Sequence, residues 1–163
     1  KNWLLSVGSD HAANIGGFEN DKKKGIGNFT KIPPGCPGMQ DRMRLLWTHG
    51  VEEGKISKQR FVEIASTAPA KICGLYPKKG QLAVGSDADI VIYDSEVDDT
   101  ITVENSCQGT DYNTFEGMKV KGQVEKVYLR GNLIAENGQF TGEKGQGKYV
   151  KTKPYGLCFQ NQK

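Results

Sequence analysis

The chain has 163 residues, of which 25% are charged and 36% hydrophobic, a composition typical of a globular protein. The net charge of +3 is too small to predict nucleic-acid binding, and no apolar run is long enough to cross a bilayer. The cysteines are far apart, without a CxxC pair, and no signal-peptide pattern opens the chain. This excludes a zinc finger and a redox motif, and it predicts reduced thiols in a cytoplasmic protein. The four are Cys36, Cys73, Cys107 and Cys158.

The first predicted element is a short β-strand at residues 3–7, an apolar run that ends at Gly8. In α/β barrels the loops that follow the strands hold the chemistry. Asp10 is therefore a candidate metal-binding carboxylate that could accept a proton from bound water. The alternative is that Asp10 caps a helix or forms a turn, as aspartates after strands often do.

Residues 12–37 are rich in glycine and proline and predict a long irregular loop. Lys22, Lys23 and Lys24 precede two glycines but lack the spacing of a phosphate-binding loop. We therefore expect these lysines to lie on a solvated surface.

Three helices are predicted next. The first runs from about Met39 to Glu53, buries a stripe at three-and-four spacing and ends at Gly54. The second is capped by Ser57, and the third is capped by Thr67 and ends at Gly74. The stripe of the first helix comprises Met39, Met43, Leu46, Trp47 and Val51.

From residue 78 the pattern changes to short strands separated by turns. Turns are predicted at Gly122, at residues 130–132 and at residues 137–138. Residues 142–163 could bury little surface alone, so we expect a tail that packs on another surface, such as a second subunit. The strands are predicted at 88–93, 100–103, 118–120, 124–129, 133–135 and Phe140.

The single α/β strand has no sheet to join within this chain, and an isolated parallel strand leaves its backbone groups unpaired. The chain also opens without Met. We therefore expect it to belong to a longer polypeptide.

Seven motifs resemble those of the dihydropyrimidinase and hydantoinase family of cyclic amidohydrolases. They cover almost the whole chain and follow the order that they have in the family. The GSDAD motif alone would indicate only the wider amidohydrolase superfamily, whereas FTKIP and FEGM narrow the resemblance to this branch. The motifs are VGSDH (7–11), NFTKIP (28–33), DRM (41–43), AKI (70–72), LYPKKG (75–80), VGSDADIVI (84–92) and YNTFEGM (112–118).

The resemblance implies an α/β fold: the C-terminal fragment of a metal-dependent (β/α)8 barrel plus part of its flanking β-sandwich. Residues 1–77 would hold the last barrel strand, the substrate-side loop and the closing helices. Residues 78–141 would belong to the sandwich, and residues 142–163 would form the tail.

The resemblance also implies a centre of two zinc ions, with Asp10 as its last ligand and general base. Asp10 would take a proton from the bridging hydroxide and pass it to the leaving ring nitrogen. His11 would support the site without binding metal. The other ligands would be a His-x-His pair, a carboxylated lysine and two further histidines upstream, and the two histidines present cannot supply them.

By resemblance, the substrate ring is held by main-chain groups at Pro34, a position that asparagine usually occupies in the family. Proline keeps the carbonyl but has no N–H donor, so at most half of this interaction remains. Ala12 replaces a cysteine that is common after the Asp-His pair, and residues 13–28 are slightly enlarged. These departures lie near the substrate.

The resemblance implies zinc-dependent hydrolytic ring opening of 5,6-dihydrouracil and dihydrothymine, and also of hydantoins, to N-carbamoyl-β-amino acids in pyrimidine catabolism. The partners would be a small cyclic imide and further subunits, forming a homotetramer, with no nucleic acid or membrane. The alternative is a non-catalytic cytoskeletal regulator of the collapsin-response-mediator type, which shares these motifs. Such regulators are expected to continue beyond residues 154–156 as a long, basic, Ser/Thr-rich tail; the given sequence does not show one, so we expect the enzyme. A free-standing β-sandwich binding module is disfavoured by the strand at residues 3–7, which has no sheet to join.

Overall fold

The computed structural model describes residues 5–14 and 16–153, which form two compact units. The division between the units falls within two of the strands, β1 and β2, which are defined below. Among these residues no helix is long and apolar enough to span a membrane. Unit 1 comprises residues 5–7, 54–95 and 123–153, and unit 2 comprises residues 8–53 and 96–122.

Unit 2 begins with residues 8–41, which we call the N-terminal loop. The loop contains a short helix α1 (Gly17–Asn20) and two 3₁₀ turns (Lys22–Gly25 and Phe29–Lys31). The prediction of an irregular segment was therefore wrong in part. The reason is local, because the side chain of Asn28 accepts a hydrogen bond from the Thr30 amide and starts the last of these turns.

Helix α2 (Arg42–Leu46) follows the N-terminal loop and continues as a π-helical segment, Trp47–Glu52. The predicted helix is confirmed over these residues, but it starts three residues later than expected. Met39 lies in the preceding turn and is 58% exposed, so it does not belong to the buried stripe. The buried apolar residues of unit 2 are Trp47, Ile101 and Val120.

Unit 1 contains a helical run formed by α3 (Lys58–Val62), a π-helical segment (Glu63–Thr67) and α4 (Ala68–Ile72). The predicted cap is confirmed, since the Ser57 hydroxyl accepts from the Arg60 amide at 3.1 Å. Thr67 does not cap a third helix.

Thr67 instead has helical backbone angles, and its hydroxyl donates to the Gly80 carbonyl at 2.7 Å. The helix therefore continues through this position without a break. Phe61, Ile64 and Ala70 are the buried apolar residues of unit 1.

The strands β1 (Ile90–Thr100), β2 (Lys119–Leu129), β3 (Asn132–Glu136) and β4 (Gln139–Phe140) follow one another in a four-stranded sheet. Two predicted breaks are wrong. β1 extends through Thr100, so the residues predicted as a separate strand at 100–103 include its last residue. β2 continues through Gly122, whose φ of +82° is a conformation that glycine adopts without steric cost.

The two hairpins of unit 1 confirm the turns predicted at residues 130–132 and 137–138. β2 and β3 pair antiparallel up to Leu129 and Asn132, and β3 and β4 pair through Glu136 and Gln139. The two-residue connections have positive φ throughout, as a type I′ turn requires. The residues concerned are Arg130 (φ +49°), Gly131 (+84°), Asn137 (+47°) and Gly138 (+78°).

The predicted first strand falls partly on residues 1–4, which lie outside the described residues. Residues 5–10 form no strand with any residue that the structure describes, although the Val7 amide donates to the Ile64 carbonyl at 3.1 Å.

The predicted tail also falls partly outside the described residues, at 154–163. The described part of the tail, residues 142–153, contacts other residues of unit 1. Arg130 Nη2 donates to the Gln146 carbonyl at 2.6 Å, and the Lys153 amide donates to the Gly74 carbonyl at 2.9 Å.

Candidate active site

Asp10 is an exposed residue with a φ of +47°, in the left-handed region that few residues other than glycine adopt. Aspartate tolerates this conformation better than most side chains. No helix begins beside Asp10, since the next described helix starts at Gly17. The turn at this point instead uses Ser9, whose hydroxyl accepts from the His11 amide at 3.3 Å. The helix-cap alternative for Asp10 is therefore not supported, whereas its left-handed backbone is compatible with the turn alternative.

The segment that contains Asp10 and the segment that contains Pro34 lie side by side in unit 2. His11 and Cys36 form a parallel β-bridge, and the Ala12 amide donates to the Cys36 carbonyl at 3.1 Å. The approach is close at Gly35, where a Cβ would lie 2.3 Å from the Ala12 carbonyl oxygen. The structure thereby brings the segment of Asp10 next to that of Pro34.

His11 is tied to the backbone of the same region. Its Nδ1 accepts from the amides of Gly38 and Met39, at 3.2 and 3.3 Å. A ring nitrogen that accepts from an amide carries no proton, so these contacts assign the neutral tautomer with the proton on Nε2. This geometry suits a residue that fixes the turn after Asp10 rather than one that binds metal through Nδ1.

Pro34 is exposed, and its carbonyl accepts from Asn14 Nδ2 at 3.0 Å. A carbonyl oxygen has two lone pairs, so one acceptor position remains for another donor.

Lys22 was expected to be solvated, but it is half-buried and its ammonium donates to the carbonyls of Pro33 and Gly35, each at 2.5 Å. The sequence prediction for this lysine was wrong. Its neighbours behave as expected: Lys23 and Lys24 form exposed ion pairs with Glu19 and Asp21. The available signal was the pair of prolines at 33–34, which leaves a segment without backbone donors that side chains must hold from outside.

Asp41 ends the N-terminal loop as a buried carboxylate with 1% side-chain exposure. It accepts from Arg44 at 2.6 Å, from Asn113 at 2.9 Å and from Gln108 at 3.1 Å. Gln40 adds bonds with the Asn105 carbonyl and the Cys107 amide. Residues 105–113 therefore form a scaffold against this end of the loop.

Asp111 belongs to the same scaffold and holds helix α1. Its carboxylate accepts from the Phe18 amide at 2.5 Å and from the Glu19 amide at 3.2 Å. These bonds favour the ionised form and lower the pKa of Asp111 from its ordinary value. Gly17 allows the approach, because a Cβ there would lie 2.1 Å from Asp111 Oδ1.

The residues that the structure describes do not by themselves fit a metal centre. No three His, Cys, Asp or Glu side chains among them come together as a possible metal site. Asp10 and His11 could contribute at most one or two ligands, and a catalytic zinc site usually has three from the protein. Cys36, Cys73 and Cys107 are free thiols on the surface, whereas Cys158 lies outside the described residues.

Comparison with known proteins agrees with the motifs. The pattern of the amidohydrolase family matches residues 3–134. D-hydantoinase from Geobacillus stearothermophilus is 45% identical over 159 residues, which are 98% of this chain and 33% of that protein. Dihydropyrimidinase-related protein 5 from Mus musculus is 38% identical over 159 residues, which are 94% of this chain and 28% of that protein. The crystal structure of dihydropyrimidinase from Brevibacillus agri superposes with a TM-score of 0.86 at 49% identity, covering 92% of this chain and 32% of that one.

The chain belongs to the amidohydrolase family, and the proteins that it resembles are hydantoinases, dihydropyrimidinases and dihydropyrimidinase-related proteins. The resemblance drawn from the seven motifs is confirmed. The chain spans about a third of the length of these relatives.

Proposed function

We propose that the chain is part of a hydrolase that opens the rings of cyclic amides, namely dihydropyrimidines and hydantoins, to N-carbamoyl amino acids. The observation that carries the proposal is the bridge between His11 and Cys36, which brings the candidate base and the candidate substrate contact together. The similarity to proteins named D-hydantoinase and dihydropyrimidinase supports this choice of substrates.

In this proposal Asp10 is the general base. Its carboxylate is exposed, and no described residue donates to it, so it is open to a reacting water and a substrate. It takes a proton as water attacks the ring carbonyl, and it delivers a proton to the departing ring nitrogen. We also propose Asp10 as one ligand of a two-zinc centre, with the remaining ligands supplied from outside this chain; bound metal would supply an activated water.

The carbonyl of Pro34 is the proposed substrate contact. With one lone pair bonded to Asn14, the other can accept from a ring N–H. Because proline has no amide hydrogen, this residue offers the ring an acceptor and no donor. We therefore expect selectivity for rings that present an N–H group at this point.

The test is hydrolysis of dihydrouracil and hydantoin by the complete polypeptide. The reaction is monitored through the loss of absorbance of the intact ring. Asp10→Asn keeps the size of the side chain but removes the base, so kcat is expected to fall at least about a hundredfold. Asp98→Asn, at an exposed strand position, is the matched control. A variant at Asp10 with unchanged kcat would rule out the assigned role.

The second candidate is a non-catalytic regulator of the collapsin-response-mediator type. It is favoured by the 38% identity to a dihydropyrimidinase-related protein and by the missing donor at Pro34. A complete polypeptide that binds no metal and hydrolyses none of these rings would select this candidate.

The fold and assembly of the complete protein are part of the proposal. Residues 1–77 would contribute to a barrel, residues 78–141 to a sandwich, and residues 142–163 to a contact between subunits of a cytoplasmic homotetramer. Removal of residues 151–163 from the complete polypeptide is then expected to weaken the tetramer. An unchanged sedimentation profile would contradict that role.

A further inference from the structure

The segment that carries Pro34 has an unusual shortage of backbone donors. Pro33 and Pro34 both lack an amide hydrogen, and the next residue, Gly35, has a φ of +97°. Two consecutive residues therefore cannot anchor themselves by donating to a neighbour, and the third has the freedom of glycine. Side chains from elsewhere in the loop must fix the direction of the carbonyls.

Lys22 supplies this anchor. Its ammonium donates to the carbonyls on either side of Pro34, those of Pro33 and Gly35, each at 2.5 Å. Hydrogen bonds from a charged donor are about twice as strong as neutral ones, and half-burial limits competition from water. One cation thus holds the peptide groups before and after the one that contains the Pro34 carbonyl.

Asn14 completes the arrangement from the segment that follows Asp10. Its amide donates to the Pro34 carbonyl at 3.0 Å and leaves the second lone pair of that oxygen open. The three successive carbonyls at 33–35 are therefore all bonded to side chains of the N-terminal loop. Only the middle carbonyl is bonded to a neutral donor rather than to the cation.

We propose that Lys22 is a positioning residue that aims the free lone pair of the Pro34 carbonyl at a ring N–H of the substrate. This inference rests on the proposed function, because it concerns the same substrate contact. Lys22 itself need not touch the ring. Its effect should appear as discrimination between rings that differ only in that N–H.

The test compares Lys22→Met with Lys23→Met in the complete polypeptide. Methionine keeps the length and apolar stem of lysine but removes the donor. Lys23 is the neighbouring exposed lysine, whose ammonium pairs with Glu19, and is the matched control. Lys22→Arg keeps a charged donor and is expected to restore part of the lost function.

The substrates are dihydrouracil and its two N-methyl derivatives, so that one derivative lacks whichever N–H meets Pro34. Lys22→Met is expected to lower kcat/KM for dihydrouracil about tenfold, mainly through KM, and to shrink the discrimination against one N-methyl derivative. A general loss of folding would lower turnover of all three rings together. Discrimination equal to that of the Lys23→Met control would overturn the proposal.

Amide hydrogen exchange over residues 35–40 tests the positioning step without turnover. The backbone amides of this segment should exchange faster in the Lys22→Met variant than in the Lys23→Met variant. Equal exchange rates in the two variants would also overturn the proposal. If the unsubstituted protein hydrolyses no ring, the proposed function fails. The exchange result then still decides whether Lys22 fixes the carbonyls.

Discussion

The N-terminal loop of unit 2 and the hairpins of unit 1 are held by different kinds of hydrogen bond. The strands β2, β3 and β4 pair through backbone groups in an antiparallel ladder. The loop contains backbone-bonded turns and one backbone bridge, but side chains such as Lys22 and Asp111 also bind its backbone groups over long sequence distances, and the buried carboxylate of Asp41 fixes its end. The two regions should therefore respond differently to substitution of single side chains.

This difference also separates a region suited to stability from one suited to chemistry. A ladder repeats the same backbone contact along its length, so it tolerates many side chains. A loop held by a few charged groups can present carbonyls and a carboxylate in conformations that no regular element offers. The left-handed backbone of Asp10 and the three bonded carbonyls at 33–35 are examples.

The largest effect that would test this comparison is expected at Asp41. Asp41→Ala removes a buried carboxylate that accepts from Arg44, Asn113 and Gln108. The bonds of the Asn113 amide and of one Arg44 nitrogen to this carboxylate are lost, whereas the Gln108 amide keeps its bond to Ser106. Breaking such a buried ionic cluster should lower the free energy of unfolding by about 3–5 kcal/mol. Urea unfolding of the complete polypeptide measures the effect.

Asp98→Ala, at an exposed position of the same unit, is the control and should change the free energy of unfolding by less than about 0.5 kcal/mol. Equal effects of the two substitutions would show that the side-chain network does not hold the loop.

A smaller effect is expected from two glycines with similar backbone angles, one in each region. In Gly17→Ala, alanine would be strained by the φ of +63° and would also clash with Asp111, whose Oδ1 would lie 2.1 Å from the new Cβ. In Gly138→Ala, in the β3–β4 turn, alanine would be strained by the φ of +78°, but its Cβ would have open space around it. The turn variant should lose about 1 kcal/mol through backbone strain, and the loop variant about 2–3 kcal/mol because Asp111 must also move.

Thermal and urea unfolding of both glycine variants give the comparison. A loss at Gly17 no larger than that at Gly138 would mean that the carboxylate of Asp111 adapts freely. In that case helix α1 would not depend on the bonds from Phe18 and Glu19.

The sequence predicted the hairpins well because their signals are local. Arg-Gly-Asn at 130–132 and Asn-Gly at 137–138 lie between apolar runs, and both are confirmed as tight turns. The Ser57 cap is local in the same way. Gly122 misled the prediction, because a glycine in a strand and a glycine in a turn look alike until the partner strand is known.

The candidate site was harder to predict from the sequence than the hairpins were. Asp10 was predicted from its place after the first strand and from the resemblance, and Pro34 from the resemblance alone. Their adjacency depends on the bridge between His11 and Cys36, two residues 25 positions apart that no local pattern pairs. Lys22 looked like its neighbours because nothing in a run of lysines distinguishes the one that turns inward. Its role follows from bonds to the carbonyls of Pro33 and Gly35, 11 and 13 residues further on, which a pattern of neighbouring residues does not encode.

The smallest effect is an acid dependence in unit 1, where Asp87 accepts from Lys79 at 2.8 Å and from Lys78 at 2.9 Å, with Asp89 as the other carboxylate on Lys79. The bonds from Lys79 and Lys78 lower the pKa of Asp87 from 3.8 to about 2. Folding therefore favours the ionised carboxylate, and its contribution to stability is complete above pH 3.8 and is lost as the pH falls through about 2.

Asp87→Asn should lower the free energy of unfolding at pH 7, and the difference from the unsubstituted protein should fade between pH 4 and 2. Urea unfolding across this pH range measures the difference, with Asp98→Asn as the control. A difference that stays constant down to pH 2 would show that the hydrogen bonds of Asp87, and not its charge, support this turn.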